Sequence, residues 1–358
     1  MGKRFLVATR KGLLDFELRQ GQWTLARKAF LGQPVSAVLR DPDKGWIYAA
    51  LNLGHFGVKL HRSQDDGDTW EEISCPTYAG VEAAEQEKKR SLQLIWVLER
   101  DRQGNLWAGT IPGGLFKSTD GGQSWQINEN LWNNPLRQEW FGGGYDAAGI
   151  HSICVDPRRD GYMALAVSCG GVWLSDDYGD TWRHATRGMI ADYMPPEQAD
   201  NPATQDPHRL VQCHEEPDHF WVQHHNGIFY SSDRCANWQR VHAQPSAFGF
   251  AVAVHPHEPG TAWFVPGAKD EFRYPVDCRL LVNRTRDAGK TFTALTRGLP
   301  QDESFDLVYR HGLDVDETGT GLVMASTTGN LWVSDNGGDS WTCLSHHLPP
   351  VYAVRFIG

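Results

Sequence analysis

The sequence has no long apolar run, so nothing in it reads as a membrane-spanning helix. Cysteine is sparse. Seven residues are scattered at 75, 154, 169, 213, 235, 278 and 343, with no C-x-x-C pair. They read as reduced, mostly buried thiols rather than as a disulfide framework or a zinc site. Positive charge is in deficit: 34 Lys and Arg face 44 Asp and Glu, a net charge of −10. That disfavours nonspecific nucleic-acid binding, which needs a basic surface. The start, Met1-Gly-Lys-Arg-Phe, passes straight into strand-like sequence without the apolar stretch and cleavage site of a signal peptide. These features predict a cytoplasmic protein with no nucleic-acid or membrane partner.

Aromatics, glycine and proline are plentiful, with 15 Trp, 37 Gly and 19 Pro. They fall into a repeat of the form S-x-D-x-G-x-[ST]-W. It is complete at Ser63–Trp70, Ser118–Trp125 and Ser175–Trp182. Three variants follow: Ser231–Trp238 with Cys235 in the glycine slot, Thr285–Phe292, and Ser334–Trp341 with Asn336 in the aspartate slot. Copies lie about fifty residues apart, the signature of a repeat architecture. Each reads as a tight turn between two strands. The Asp or Asn accepts backbone N–H bonds, the Gly takes a positive φ, and the Trp starts the next strand. The acidic clusters at Asp65, Asp66 and Asp68 and at Asp176, Asp177 and Asp180 invite a calcium reading. A helix–loop–helix calcium loop, however, runs to about twelve residues and ends in a bidentate Glu, which none of these has.

These segments resemble the Asp-box, or BNR repeat, of the sialidase superfamily of β-propellers. The resemblance covers most of the chain. It implies that each box joins the third and fourth strands of a blade, on the rim opposite a ligand face at the propeller axis. Gly54-His55-Phe56-Gly57, Leu131-Trp132, and Gly142 to Gly144 followed by His151 further resemble soluble bacterial BNR-repeat proteins described as glycosyl-hydrolase-like.

The strand pattern gives the blade count. Arg4–Thr9, Gly12–Phe16 and a stretch from Trp23 read as the second, third and fourth strands of a blade that lacks its innermost strand. The alternating tail Val351–Ile357 supplies one. The expectation is therefore an all-β, seven-bladed propeller spanning residues 1–358 as a single domain, its ring closed by the C-terminal strand beside the N-terminal blade. Val35–Leu39, His151–Val155, Leu210–Cys213, Ala251–Val254 and Gly312–Val315 read as innermost strands; Trp46–Ala50, Leu106–Gly109 and Leu322–Ala325 read as second strands.

With the boxes on one rim, the long insertions 75–91, 128–149, 185–208, 266–279 and 296–310 fall on the other, where function usually lives. They and the shorter loops carry Asn52, His55, Trp132, Trp140, Tyr145, Arg209, His224, His225 and Arg310, the candidate ligand-binding residues. His151, His208 and His311 are the candidate catalytic residues, as general bases. His55, His151, His208, His224 and His311 form the candidate ligand set for a divalent metal, since neutral imidazoles suit first-row ions. The expectation is that these five share one pocket.

Three functions fit. The first is a carbohydrate-active or glycan-binding protein. A true sialidase is disfavoured: its first carboxylate-binding arginine sits in a short F/Y-R-I-P-type segment, and Arg4-Phe-Leu-Val and Arg10-Lys-Gly do not match it. Arg137, Arg209, Arg273 and Arg310 remain as axial arginines able to fork onto a carboxylate. Glu139, Asp146, Asp270, Glu271 and Asp306 are the carboxylates on the right face, with no evident pair of the kind glycoside hydrolysis needs. The second is a metal-assisted lyase or hydrolase. The third is a noncatalytic scaffold or assembly factor whose propeller face binds protein. The first describes the chain best, as a binder of a small polar or sugar-like ligand.

Overall fold

The computed structural model of the protein describes residues 2–78 and 91–358. Seven four-stranded antiparallel sheets surround a central channel as blades. Their innermost strands are, in ring order, Val351–Phe356, Val35–Arg40, Leu94–Arg100, Ile150–Val155, Pro207–Gln212, Gly249–Val254 and Leu313–Val315. We number the blades one to seven in that order. The fifth of these strands begins before the expected Leu210, because a register irregularity between Pro207 and Arg209 extends the pairing.

The first blade is built from both chain ends. Val351–Phe356 pairs antiparallel with Arg4–Thr9 in the register Phe5↔Phe356, Val7↔Val354 and Ala8↔Ala353. Gly12–Arg19 and Gln22–Ala29 complete it. The tail thus covers the otherwise open edge of Arg4–Thr9 and gives this blade its fourth strand.

In blades two to seven the repeated turn joins the third and fourth strands. In the second blade Ser63 Oγ donates to Asp65 Oδ1 at 2.8 Å and accepts from Gly67 N–H at 2.8 Å. Thr69 N–H and its hydroxyl both donate to the Asp65 carboxylate. Gly67 sits at φ 97°, a conformation that favours glycine. The variant turn keeps this wiring with Cys235 at φ 61° in the glycine slot.

Three of the turn tryptophans tie neighbouring blades together, and Trp238 and Trp341 are also buried in the core. Trp125 donates to Ser74 O at 2.9 Å, Trp182 to Asn128 Oδ1 at 3.0 Å, and Trp238 to Ala185 O at 2.7 Å, each reaching back to the preceding blade. The fully buried tryptophans are instead Trp107, Trp221 and Trp263 on second strands and Trp173 and Trp332 on third strands. They fill the wedges where sheets diverge outward, and losing one would cost roughly 3–5 kcal/mol. No helix of the described residues is long and apolar enough to cross a membrane, and all seven cysteines are free.

Candidate functional site

On the rim opposite the repeated turns, a pocket of about 390 Å³ opens onto the axis. Its walls come from the loops between second and third strands (Arg10, Asn52, Gly54, Arg273), from those entering innermost strands (Pro34, Gly144, Tyr145, Tyr309, Arg310, His311), and from inner-strand residues Ser36, Leu94, Trp96 and Tyr352. Two loop classes converge because a closed ring aims both of them at one end of its axis. Among these described lining residues three are arginines and none is acidic.

Arg310 is central to the electrostatics. Its guanidinium lies 4.8 Å from the ring centre of Trp96 and 5.4 Å from that of Phe250. Its Nε is buried without a hydrogen-bond partner, and among the described residues it makes no ion pair. Burial lowers its pKa from the ordinary arginine value. Arg273, by contrast, is exposed and pairs with Asp270 at 2.7 Å. Tyr145 stands edge-on to Trp96 at 5.3 Å.

The histidines separate into distinct roles. His151 is fully buried. Its Nε2 lies 2.7 Å from Pro207 O, an acceptor, so Nε2 carries the hydrogen; Nδ1 then accepts from Ser152 Oγ at 2.9 Å. Ser152 Oγ in turn receives Leu210 N–H at 3.1 Å. Both imidazole nitrogens are thus spent in joining blade four to blade five. Burial, followed by the field of Arg310, holds the His151 pKa well below the usual histidine range. His311 Nε2 donates to His151 O at 2.9 Å, which leaves Nδ1 as its lone-pair nitrogen at the pocket wall. His224 is buried, its pKa pushed down to about 3 by burial, and its Nε2 accepts Asp206 N–H at 3.0 Å. His55 is exposed, its ring tilted against that of Phe56 with centroids 3.9 Å apart.

These positions correct the expectation that five histidines form one ligand set. The single group of converging donor atoms among the described residues is Asp206, His208 and His225. Sequence reading missed Asp206, which belongs to no motif. It lies two residues before His208, and the pairing of Pro207 with His224 brings it to His225.

Other expectations also divide. Asn52, Tyr145 and Arg310 line the pocket. Trp132 is buried beneath Arg137, whose guanidinium lies 3.5 Å from its ring centre, and Trp140 packs on Trp173 at 5.5 Å. Both cover blades rather than line the pocket. Arg209 lies below, beside the channel with Glu99, Asp314 and Arg355. Asp306 is buried and takes donors from Ser304, Ser326, Thr328 and Asn330, a structural knot rather than a reacting carboxylate. Glu139 and Asp146 are exposed, Asp270 is paired with Arg273, and Glu271 with Lys269. The insertion 75–91 lies largely outside the described residues. Unanticipated pocket residues are Arg10, Trp96 and Tyr352; only the blade register identifies them as axial.

No family model matches the chain. It is 26% identical over 143 residues to an oligoxyloglucan-reducing end-specific xyloglucanase of Emericella nidulans, covering 40% of this chain and 16% of that protein. It is 24% identical over 289 residues to a xyloglucanase of a Paenibacillus species, covering 71% and 26%. The crystal structure of the GH74 xyloglucanase from Xanthomonas campestris superposes with a TM-score of 0.65 at 17% identity, over 96% of this chain and 52% of that one. The chain thus spans about half, or less, of the length of these relatives. What is shared is the propeller fold.

Proposed function

We propose that this propeller binds a small, polar, sugar-like ligand carrying an acidic group in its axial pocket. One observation carries the reading: in a chain of net charge −10, the described pocket lining holds Arg10, Arg273 and Arg310 and no carboxylate. An unpaired guanidinium held between two rings is poorly solvated, and a carboxylate or phosphate supplies the charge and the forked hydrogen bonds that water does not. Trp96, Tyr145, Tyr309 and Tyr352 offer flat apolar faces and hydroxyls suited to a sugar ring. The pocket volume falls in the range of small-ligand sites, roughly 300–1,000 Å³. The likeness to xyloglucanases supports a carbohydrate ligand. Hydrolysis by two flanking carboxyl groups is not offered by the described lining, so binding is the activity proposed.

Titration calorimetry with glucuronate, glucose and inorganic phosphate tests this. Glucuronate is expected to bind, glucose to bind at least tenfold more weakly, and Arg310→Met to abolish the difference. Equal affinity for glucose and glucuronate, or no heat from glucuronate, overturns the reading. Tighter binding of phosphate than of glucuronate would replace the carboxylate with a phosphoryl group.

A further inference from the structure

We propose that Asp206, His208 and His225 form a binding site for a first-row divalent metal ion, beside the axial pocket and independent of what that pocket binds. Asp206 Oδ2 lies 3.4 Å from His208 Nε2 and 3.3 Å from His225 Nδ1. Both separations are longer than the roughly 2.7–2.9 Å of a charge-assisted N–H···O bond, and they match the about 3.4 Å between two ligands each about 2.1 Å from a common tetrahedral ion. All three donor atoms lie within 4.8 Å of one another.

The tautomer of His208 strengthens the case. Its Nδ1 lies 2.6 Å from Gly249 O, which can only accept, so Nδ1 carries the hydrogen. In the neutral ring the lone pair then sits on Nε2 and faces the Asp206 carboxylate. Two electron-rich atoms placed face to face in a buried setting call for a cation between them, either a proton on the imidazole or a metal ion, and the separations above fit the metal. An Nδ1–H held by a backbone carbonyl is also the usual second support of a metal-ligating histidine.

The donors are fixed from outside. Asp206 Oδ1 accepts from Cys169 N–H at 3.3 Å, leaving Oδ2 for the ion. The Asp206 backbone is tied on both sides, its N–H to His224 Nε2 and its carbonyl to His225 N–H at 2.9 Å. The His208 ring stacks on Phe250 at 4.4 Å, and His225 meets Tyr193 edge-on at 4.9 Å. Asp206 and His208 are buried, while the His225 side chain keeps 24% of its surface exposed, which gives the ion a path in. Gly143 covers the carboxylate: a Cβ there would meet Cys169 Sγ at 2.9 Å and stand 3.8 Å from Asp206 Oδ2. Glycine at this position lets the loop close over the cluster. One carboxylate and two imidazoles, with coordination positions left for water, suit Zn²⁺, Fe²⁺ or Mn²⁺ rather than Ca²⁺.

The test uses untagged full-length protein. Metal content is measured by plasma mass spectrometry, and the chelated protein is titrated with Co²⁺ while its visible absorption is followed. About one equivalent of a first-row metal and a saturable Co²⁺ band are expected. His225→Gln, at the partly exposed ligand, is expected to keep the wild-type melting curve in chelator and to lose the band. Asp206→Asn serves as the second variant and should weaken Co²⁺ binding at least tenfold. Absence of both a retained metal and a Co²⁺ band in wild-type protein overturns the proposal. So does a band that persists unchanged in folded His225→Gln. Glucuronate calorimetry on the chelated protein reports the axial pocket separately, so failure of one reading is not failure of the other.

Discussion

Arg355, near the end of the chain, donates to the Glu99 carboxylate of the third blade at 2.8 Å. The same guanidinium reaches Val38 O of the second blade and Leu98 O of the third at 3.4 and 3.3 Å. One side chain on the closing strand therefore ties the first blade to its next two neighbours around the channel. Arg355→Met is expected to lower stability by roughly 2 kcal/mol, as for a hydrogen bond between charged groups. Deletion of 351–358 removes the whole innermost strand of the first blade. It should abolish the cooperative thermal transition, as read by circular dichroism; a truncated chain that still melts sharply near the wild-type temperature would refute the clasp.

Asp314 stands beside this clasp and accepts Phe356 N–H at 2.8 Å. Burial pushes its pKa up to about 6, from an ordinary 3.8, despite that bond and the nearby Arg355. The folded state therefore holds the Asp314 proton more tightly than the unfolded chain does. Its contribution to stability is largest below about pH 4 and declines as pH rises toward 6. A shift of this size corresponds to at most about 3 kcal/mol. Asp314→Asn keeps an acceptor for Phe356 and removes the charge. Its melting temperature should gain on wild type as pH rises from 4 to 7, and a constant difference across that range would count against the assignment.

Two glycines, one in a repeated turn and one at the pocket mouth, face opposite demands. Gly122 sits at φ 90°, and a Cβ there would lie 2.6 Å from Ile73 Cδ1. Gly122→Ala should cost roughly 1–3 kcal/mol. Gly144, at the pocket mouth, has nothing within 4 Å of such a Cβ. Gly144→Ala should stay within about 0.5 kcal/mol of wild type. Urea denaturation of the two variants side by side checks the contrast.

His151→Ala is expected to destabilise rather than to leave folding intact, by roughly 2–4 kcal/mol. It empties a buried site and leaves Pro207 O without its donor. A variant that melts with wild type would return His151 to the catalytic candidates.

The sequence by itself determined the ring. The S-x-D-x-G spacing located six turns, and the alternation of Val351–Ile357 identified the missing innermost strand, because strand period and turn chemistry are local properties. The resemblance of those turns to Asp-boxes also implied which rim faces a ligand, and Asn52, Tyr145, Arg310 and His311 line the pocket at that rim. Tertiary structure decided which side chains face one another. His151 and His208 both lie on innermost strands, yet one spends both nitrogens bridging blades while the other turns a lone pair toward Asp206. Register irregularities before Ser152 and before Arg209, together with contacts more than fifty residues apart in the chain, set that difference. A one-residue change of register reverses the facing of every side chain in a strand, and no local sequence pattern records it.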